Sequence, residues 1–128
     1  MYKKRKLGRG VAMVGAGMSK FDMFNDRDSK DLFVEAFSQM TASVDKGVDP
    51  NDIDALYFGN FTNDFFTHQS HWGAILSDSI GLVPKPATRT EGACASSALA
   101  FREGVFAIVG FLRHGPGRWR RRYGEAIR

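Results

Sequence analysis

The sequence predicts an α/β fold, and three observations carry that expectation. Two short apolar runs, Val11-Ala12-Met13-Val14 and Ala55-Leu56-Tyr57-Phe58, each end at a glycine and read as buried strands. Between them, Ser29 to Lys46 repeats apolar residues at helical spacing. Further on, a segment rich in proline and threonine (Pro84, Pro86, Thr88, Thr90) leads into a long apolar stretch from Ala95 to Val109 that only Gly104 interrupts. Strand, helix and strand in that order predict parallel pairing with a right-handed crossover.

Each element has its own justification. After the first strand, Gly15-Ala16-Gly17 turns the chain; a Gly-x-Gly here hints at phosphate binding, but the third glycine of a dinucleotide fingerprint is missing and no helix begins at once. Lys20 to Asp28 is a polar loop carrying Phe21, Met23 and Phe24. The helix from Ser29 to Lys46 is capped by Asp28 or Ser29, favoured by Asp31 at its positive end, and stopped by Gly47, with Leu32, Phe33, Ala36, Phe37, Met40 and Val44 on one apolar face. Asp49-Pro50-Asn51-Asp52 is a turn or a single helical turn. Asn60 to Ser70 is a loop, and its phenylalanines Phe61, Phe65 and Phe66 suggest burial against a second subunit or another segment. His68 and His71 stand three apart but lack a third ligand at metal-binding spacing, so no metal site is expected. His71 to Ile80 forms a shorter helix with Trp72, Ile75, Leu76 and Ile80 on one side, closed by Gly81.

Glu91-Gly92-Ala93-Cys94-Ala95-Ser96-Ser97 places the only cysteine of the chain between the extended segment and the apolar helix. At a helix N-terminus the unpaired backbone N–H groups and the positive end of the dipole favour an anionic sulfur, which is the nucleophilic form. The same N–H groups suit an acyl oxygen. The plainer reading is a small cysteine packed among alanines. The helix is apolar around much of its circumference, which predicts deep burial and a rigidly held nucleophile.

Glu91 to Ala100, read as Glu-Gly-Ala-Cys-Ala-Ser-Ser-Ala-Leu-Ala, resembles the nucleophile segment of the thiolases, in the version of archaeal-type acetyl-CoA acetyltransferases and sterol-carrier-protein thiolases. Val14 to Phe21 is similar to the opening strand and loop of those enzymes. The resemblance implies the front part of the N-terminal half of a thiolase-like α-β-α-β-α layered sandwich. It implies Cys94 as the catalytic nucleophile of a CoA-dependent acyltransferase, which takes an acyl group from acyl-CoA as a thioester before a second acyl-CoA is condensed onto it, or the reverse. It implies acetyl-CoA or another acyl-CoA as substrate, no cofactor beyond such coenzyme A thioesters, and a homo-oligomer when full length. The family's histidines and second cysteine come from a second half; His68, His71 and His114 do not match their motifs, so Cys94 alone is carried over. The Ala-Cys-Ala setting departs from the Leu-Cys-Gly setting of the common bacterial and mitochondrial thiolases, which leaves acyl-chain length open.

Charge divides the chain into a basic arm over 1–10, a body over 11–110, and a tail over 111–128. The tail holds 6 arginines, no lysine and 1 acid, leaving 12 basic and 13 acidic side chains for residues 1 to 110, so the net charge of +4 belongs to the tail. Taken literally, Arg118-Trp119-Arg120-Arg121-Arg122-Tyr123 suits a nucleic acid or an anionic surface. A one-base frameshift accounts for it better: codons for Phe111 to Arg120 read one base later permit an apolar strand ending in two glycines, as the thiolase pattern has after the nucleophile helix. On that reading the chain is truncated and inactive alone. A non-catalytic thiolase-like subunit and a small basic nucleic-acid-binding protein are the alternatives. The N-terminal arm has no apolar run suited to a signal peptide or membrane span, and with a single cysteine the expected location is the cytoplasm.

Overall fold

The computed structural model describes residues 10–111, the side chain of Phe111 excepted; the arginine-rich tail, with the frameshift expected there, lies outside the described residues, as does all of the basic arm but Gly10. Helix α1 spans Ser29–Ala42, where the sequence pattern suggested an end at Lys46. Its start is fixed by a reciprocal cap: the Asp28 carboxylate accepts the Asp31 N–H at 2.9 Å and the Asp31 carboxylate accepts the Asp28 N–H at 3.0 Å. Its last turn tightens to i→i−3 bonds, from the Ser43 N–H to the Met40 carbonyl and from the Val44 N–H to the Thr41 carbonyl, and Gly47, at φ +65, completes the reversal. The predicted apolar face is present but only half-buried.

Strand β1 (Leu56–Gly59) follows a single 3₁₀ turn at Pro50–Asp52, and strand β2 (Ala87–Thr90) pairs with it in parallel, Leu56 opposite Ala87 and Gly59 opposite Thr90. Between them lie α2 (Asn63–Thr67) and α3 (Trp72–Ser79), so the parallel crossover is formed by these helices. Two expectations change here. The aromatic loop contains a short helix, nucleated where the Asn60 side chain accepts the Asn63 N–H at 3.0 Å. Val11–Val14 forms no strand; Met13 is 73% and Val14 51% exposed. The chain just after it is committed elsewhere. A Cβ on Gly17 would overlap the Ala36 carbonyl and one on Gly15 would lie 2.7 Å from Val44 Cγ2, so these glycines let the backbone lie on α1, where the Ala16 N–H also reaches Ser43 Oγ at 3.2 Å. That packing accounts for the Gly-x-Gly without a phosphate.

Alternation along the strands separates two faces. Phe58 meets Phe33 of α1 edge to face, with ring centroids 6.2 Å apart, and Gly73 of α3 stands over Ala87. On the opposite face, helix α4 (Ser96–Phe111) crosses Tyr57 and Gly59. Helices, sheet and helix thus form an α-β-α arrangement, with its core at Trp72, Leu76, Ile80, Leu82 and Ala100. The expected deep burial of α4 is not found. Ser96 and Ala100 are buried, yet Phe101 is 61%, Phe106 53% and Ile108 43% exposed, because among the described residues only the sheet side of this helix is covered.

Candidate functional site

β2 ends at Thr90, and four residues later Cys94 stands at the surface with its thiol free. The intervening chain makes a tight elbow. Glu91 accepts the Ala93 N–H through Oε1 at 2.8 Å, and Ala93 adopts φ +48, a left-handed conformation that costs a residue with a Cβ about 1–2 kcal/mol. Ala93–Ala95 form a 3₁₀ turn, closed by the Ala95 N–H on the Gly92 carbonyl at 2.9 Å, and α4 begins at Ser96. Cys94 therefore lies in the turn that opens the helix, one step ahead of its first full turn.

The elbow rests on the sheet through close backbone approach. A Cβ on Gly59, the last residue of β1, would overlap the Ser96 carbonyl and sit 2.5 Å from Ser97 Cα; a Cβ on Gly92 would overlap Leu99 Cδ1. Glycine at both positions lets the start of α4 press onto the strand ends. Ser96 is 4% exposed and binds on three sides: its Oγ accepts the Gly92 N–H at 3.0 Å and donates to the Ala93 carbonyl at 2.7 Å, while its own carbonyl accepts the Thr90 hydroxyl at 3.1 Å. The turn's hydrogen bonds thus use the amides of Gly92, Ala93, Ala95 and Ser96; the Cys94 N–H is not among them.

This arrangement exposes a thiol on a fixed turn whose own hydrogen bonds leave the Cys94 N–H unused, which suits a nucleophile that attacks a carbonyl whose oxygen then needs a donor. The sequence singled out Cys94 and Gly92, but not the hydrogen bonds of Thr90, Glu91 and Ser96 around them. The signal available was the polar side chain at the first position of an apolar helix, where serine commonly bonds nearby backbone.

The histidines that the sequence set aside belong to other parts of the chain. His68 and His71 are exposed, at the end of α2 and the start of α3; among the described residues no three His, Cys, Asp or Glu side chains form a group that could hold a metal. His114 lies outside the described residues. A cleft of about 370 Å³ between α3 and β2 is lined by His71, Ser77, Lys85 and Arg89, but its long cations are engaged: Lys85 Nζ donates to the Pro50 and Asn51 carbonyls at 2.7 and 2.9 Å. Arg89 donates to the Asn60 and Phe61 carbonyls and pairs with Asp64 at 2.9 Å, which pins the aromatic loop and holds the Asp64 carboxyl below the usual carboxylate range. Phe61, Phe65 and Phe66 remain exposed, the last two in an edge-to-face pair.

Over 101 residues, 79% of its length, the chain is 40% identical to an acetyl-CoA acetyltransferase of Methanothermobacter thermautotrophicus. It is 38% identical, again over 101 residues, to an acetyl-CoA acetyltransferase of Methanocaldococcus jannaschii. These alignments cover 26% and 25% of the relatives, so the chain spans about a quarter of the length of the curated relatives it matches. No protein-family model matches it.

Proposed function

We propose that this chain, which belongs to the thiolase family in its archaeal-type branch, carries the acyl-accepting nucleophile of an acetyl-CoA acetyltransferase, and that the nucleophile is Cys94. The observation that carries the reading is the elbow itself: an exposed thiol at the β2–α4 junction, beside a backbone N–H that the turn does not use. The names of the two relatives supply the substrate class, acetyl-CoA.

In the step proposed, Cys94 Sγ bonds to the thioester carbonyl carbon of acetyl-CoA and the bond from that carbon to the CoA sulfur breaks. The acetyl group passes to Cys94, and CoA leaves as its thiol with the proton that the cysteine gave up. The Cys94 N–H donates to the carbonyl oxygen while it carries negative charge. The histidines and second cysteine that the thiolase resemblance requires for activating the thiol and for condensation are not matched by these residues. This chain alone is therefore proposed to accept an acetyl group slowly and to form no condensation product.

Incubation of the folded chain with acetyl-CoA, followed by mass spectrometry of the peptide bearing residue 94, tests the reading. One added acetyl group is expected, lost in Cys94→Ala. Absence of that adduct, or its persistence in Cys94→Ala, would overturn the assignment.

A further inference from the structure

We infer that Ser96 is the positioning residue of the Cys94 elbow, an inference that rests on the acyl-transfer reading for its chemical consequence but on geometry for its substance. Ala93 is held at φ +48, a region that residues with a Cβ rarely occupy, and it directly precedes the thiol. A conformation of that kind persists only where the surroundings fix it. Glu91 holds the Ala93 N–H, and two further fixing contacts converge on one side chain. Ser96 Oγ takes the Gly92 N–H on one side of Ala93 and gives its proton to the carbonyl of Ala93 itself. The Thr90 hydroxyl holds the Ser96 carbonyl and so ties the helix start to the last residue of β2. Burial to 4% exposure keeps water from taking over either bond to the hydroxyl.

Without the hydroxyl, the Gly92 N–H has no acceptor in the elbow and the Ala93 carbonyl loses its side-chain donor. Ala93 is then held only by Glu91 at its amide and by the backbone bonds of the turn, and its departure from the left-handed region would carry the sulfur and the Cys94 N–H with it. A displacement of about 1 Å at a reacting atom is enough to cost about 100-fold in rate. The hydrogen bonds of Ser96 go to Thr90, Gly92 and Ala93 and none to the sulfur, so its proposed action runs through the backbone on either side of Cys94.

The test compares the wild-type chain, Ser96→Ala and Ser96→Thr by three measurements: amide hydrogen exchange at Gly92, acetylation of Cys94 by acetyl-CoA, and alkylation of Cys94 by iodoacetamide. In Ser96→Ala, exchange at Gly92 is expected to rise about 10-fold or more and acetylation to fall by a similar factor, while alkylation, which needs only an exposed thiol, changes less than about 3-fold. Threonine, which keeps the hydroxyl, restores exchange and acetylation. Unchanged Gly92 exchange in Ser96→Ala overturns the inference, as does faster exchange with an unchanged acetylation rate. If Ser96→Ala does not fold, the wild-type chain still decides: a Gly92 amide exchanging at the rate of an open peptide refutes the bond. A wild-type chain that gains no acetyl group refutes the acyl-transfer reading alone, and Gly92 exchange then judges Ser96 separately.

Discussion

Replacing Gly59 with alanine tests whether the geometry of the elbow depends on how closely β1 meets α4. The new Cβ would overlap the Ser96 carbonyl and stand 2.5 Å from Ser97 Cα. Carbon atoms in contact prefer about 3.5–4.0 Å, so the helix start must retreat from the strand by roughly 1 Å. Both obstructing atoms are backbone, and no rotamer change relieves the overlap. Overpacking of this kind costs about 1–3 kcal/mol. For a chain of this size that lowers Tm by roughly 4–24 °C. The same retreat carries Cys94 with it, so acetylation by acetyl-CoA is expected to fall about 100-fold. Gly104→Ala is the control: on the same helix, its Cβ meets only Tyr57 Cδ2, at 3.9 Å, and the gain in helix propensity of about 0.5–1 kcal/mol should leave Tm equal or higher. Thermal melts by circular dichroism and the acetyl mass assay read both variants. A Gly59→Ala chain that melts and acetylates like the parent refutes the close-approach argument.

Two further outcomes follow from the packing and the ion pairs. Leu76 of α3 is 1% exposed, and Leu76→Ala should remove about 2–5 kcal/mol, read as a lower urea midpoint; a loss under about 1 kcal/mol would mean the core lies elsewhere. Acid should weaken the fold through Glu35, Asp64 and Asp22, whose carboxyls are held below their ordinary range mainly by hydrogen bonds from Arg27, Arg89 and Lys20 respectively. A depressed native value gives stability that is present above the unfolded value, about 4, and is lost as pH falls through the native one. The urea midpoint should therefore hold steady above about pH 5 and drop below about pH 4, less steeply in Glu35→Gln; a midpoint constant down to about pH 3 would count against these pairs.

Several features set by neighbours in sequence were legible before the structure, although the end of α1 at Ala42 and the short helix α2 were not. The Asp28–Asp31 cap, the 3₁₀ turn at Pro50–Asp52, the limits of α3 and the reversals at Gly47 and Gly81 all depend on residues within a few positions. Features that need a distant partner were not. Val11–Val14 has the composition of a strand, but a strand exists only where a ladder forms, and nothing local says that Gly15 and Gly17 will lie on α1 instead. The place of Cys94 just before an apolar helix was legible because it depends on neighbouring residues alone. Its supports were hidden, since Ser96 reads as an ordinary helix-start serine until the chain folds Gly92 and Thr90 back onto it.

Helix α4 shows what an apolar circumference does and does not determine. Ala93–Gly110 is long and apolar enough to cross a membrane by length and composition, and the same property fits a helix between two layers of a soluble fold. Two details favour the layered reading. Gly59 brings the strand into backbone contact with Ser96 and Ser97, and Arg102 and Glu103 pair at 2.8 Å midway along the stretch. The sheet side of the helix sets where Cys94 stands. Beside that contact, Phe101, Gly104 and Ile108 of the helix form with Gly10–Met13 and Tyr57–Gly59 a groove of about 850 Å³. Filling that groove buries apolar surface and stabilises the helix as a whole. The elbow's own hydrogen bonds run from Thr90 to Ser96, residues that do not line the groove, so they are made without its being filled.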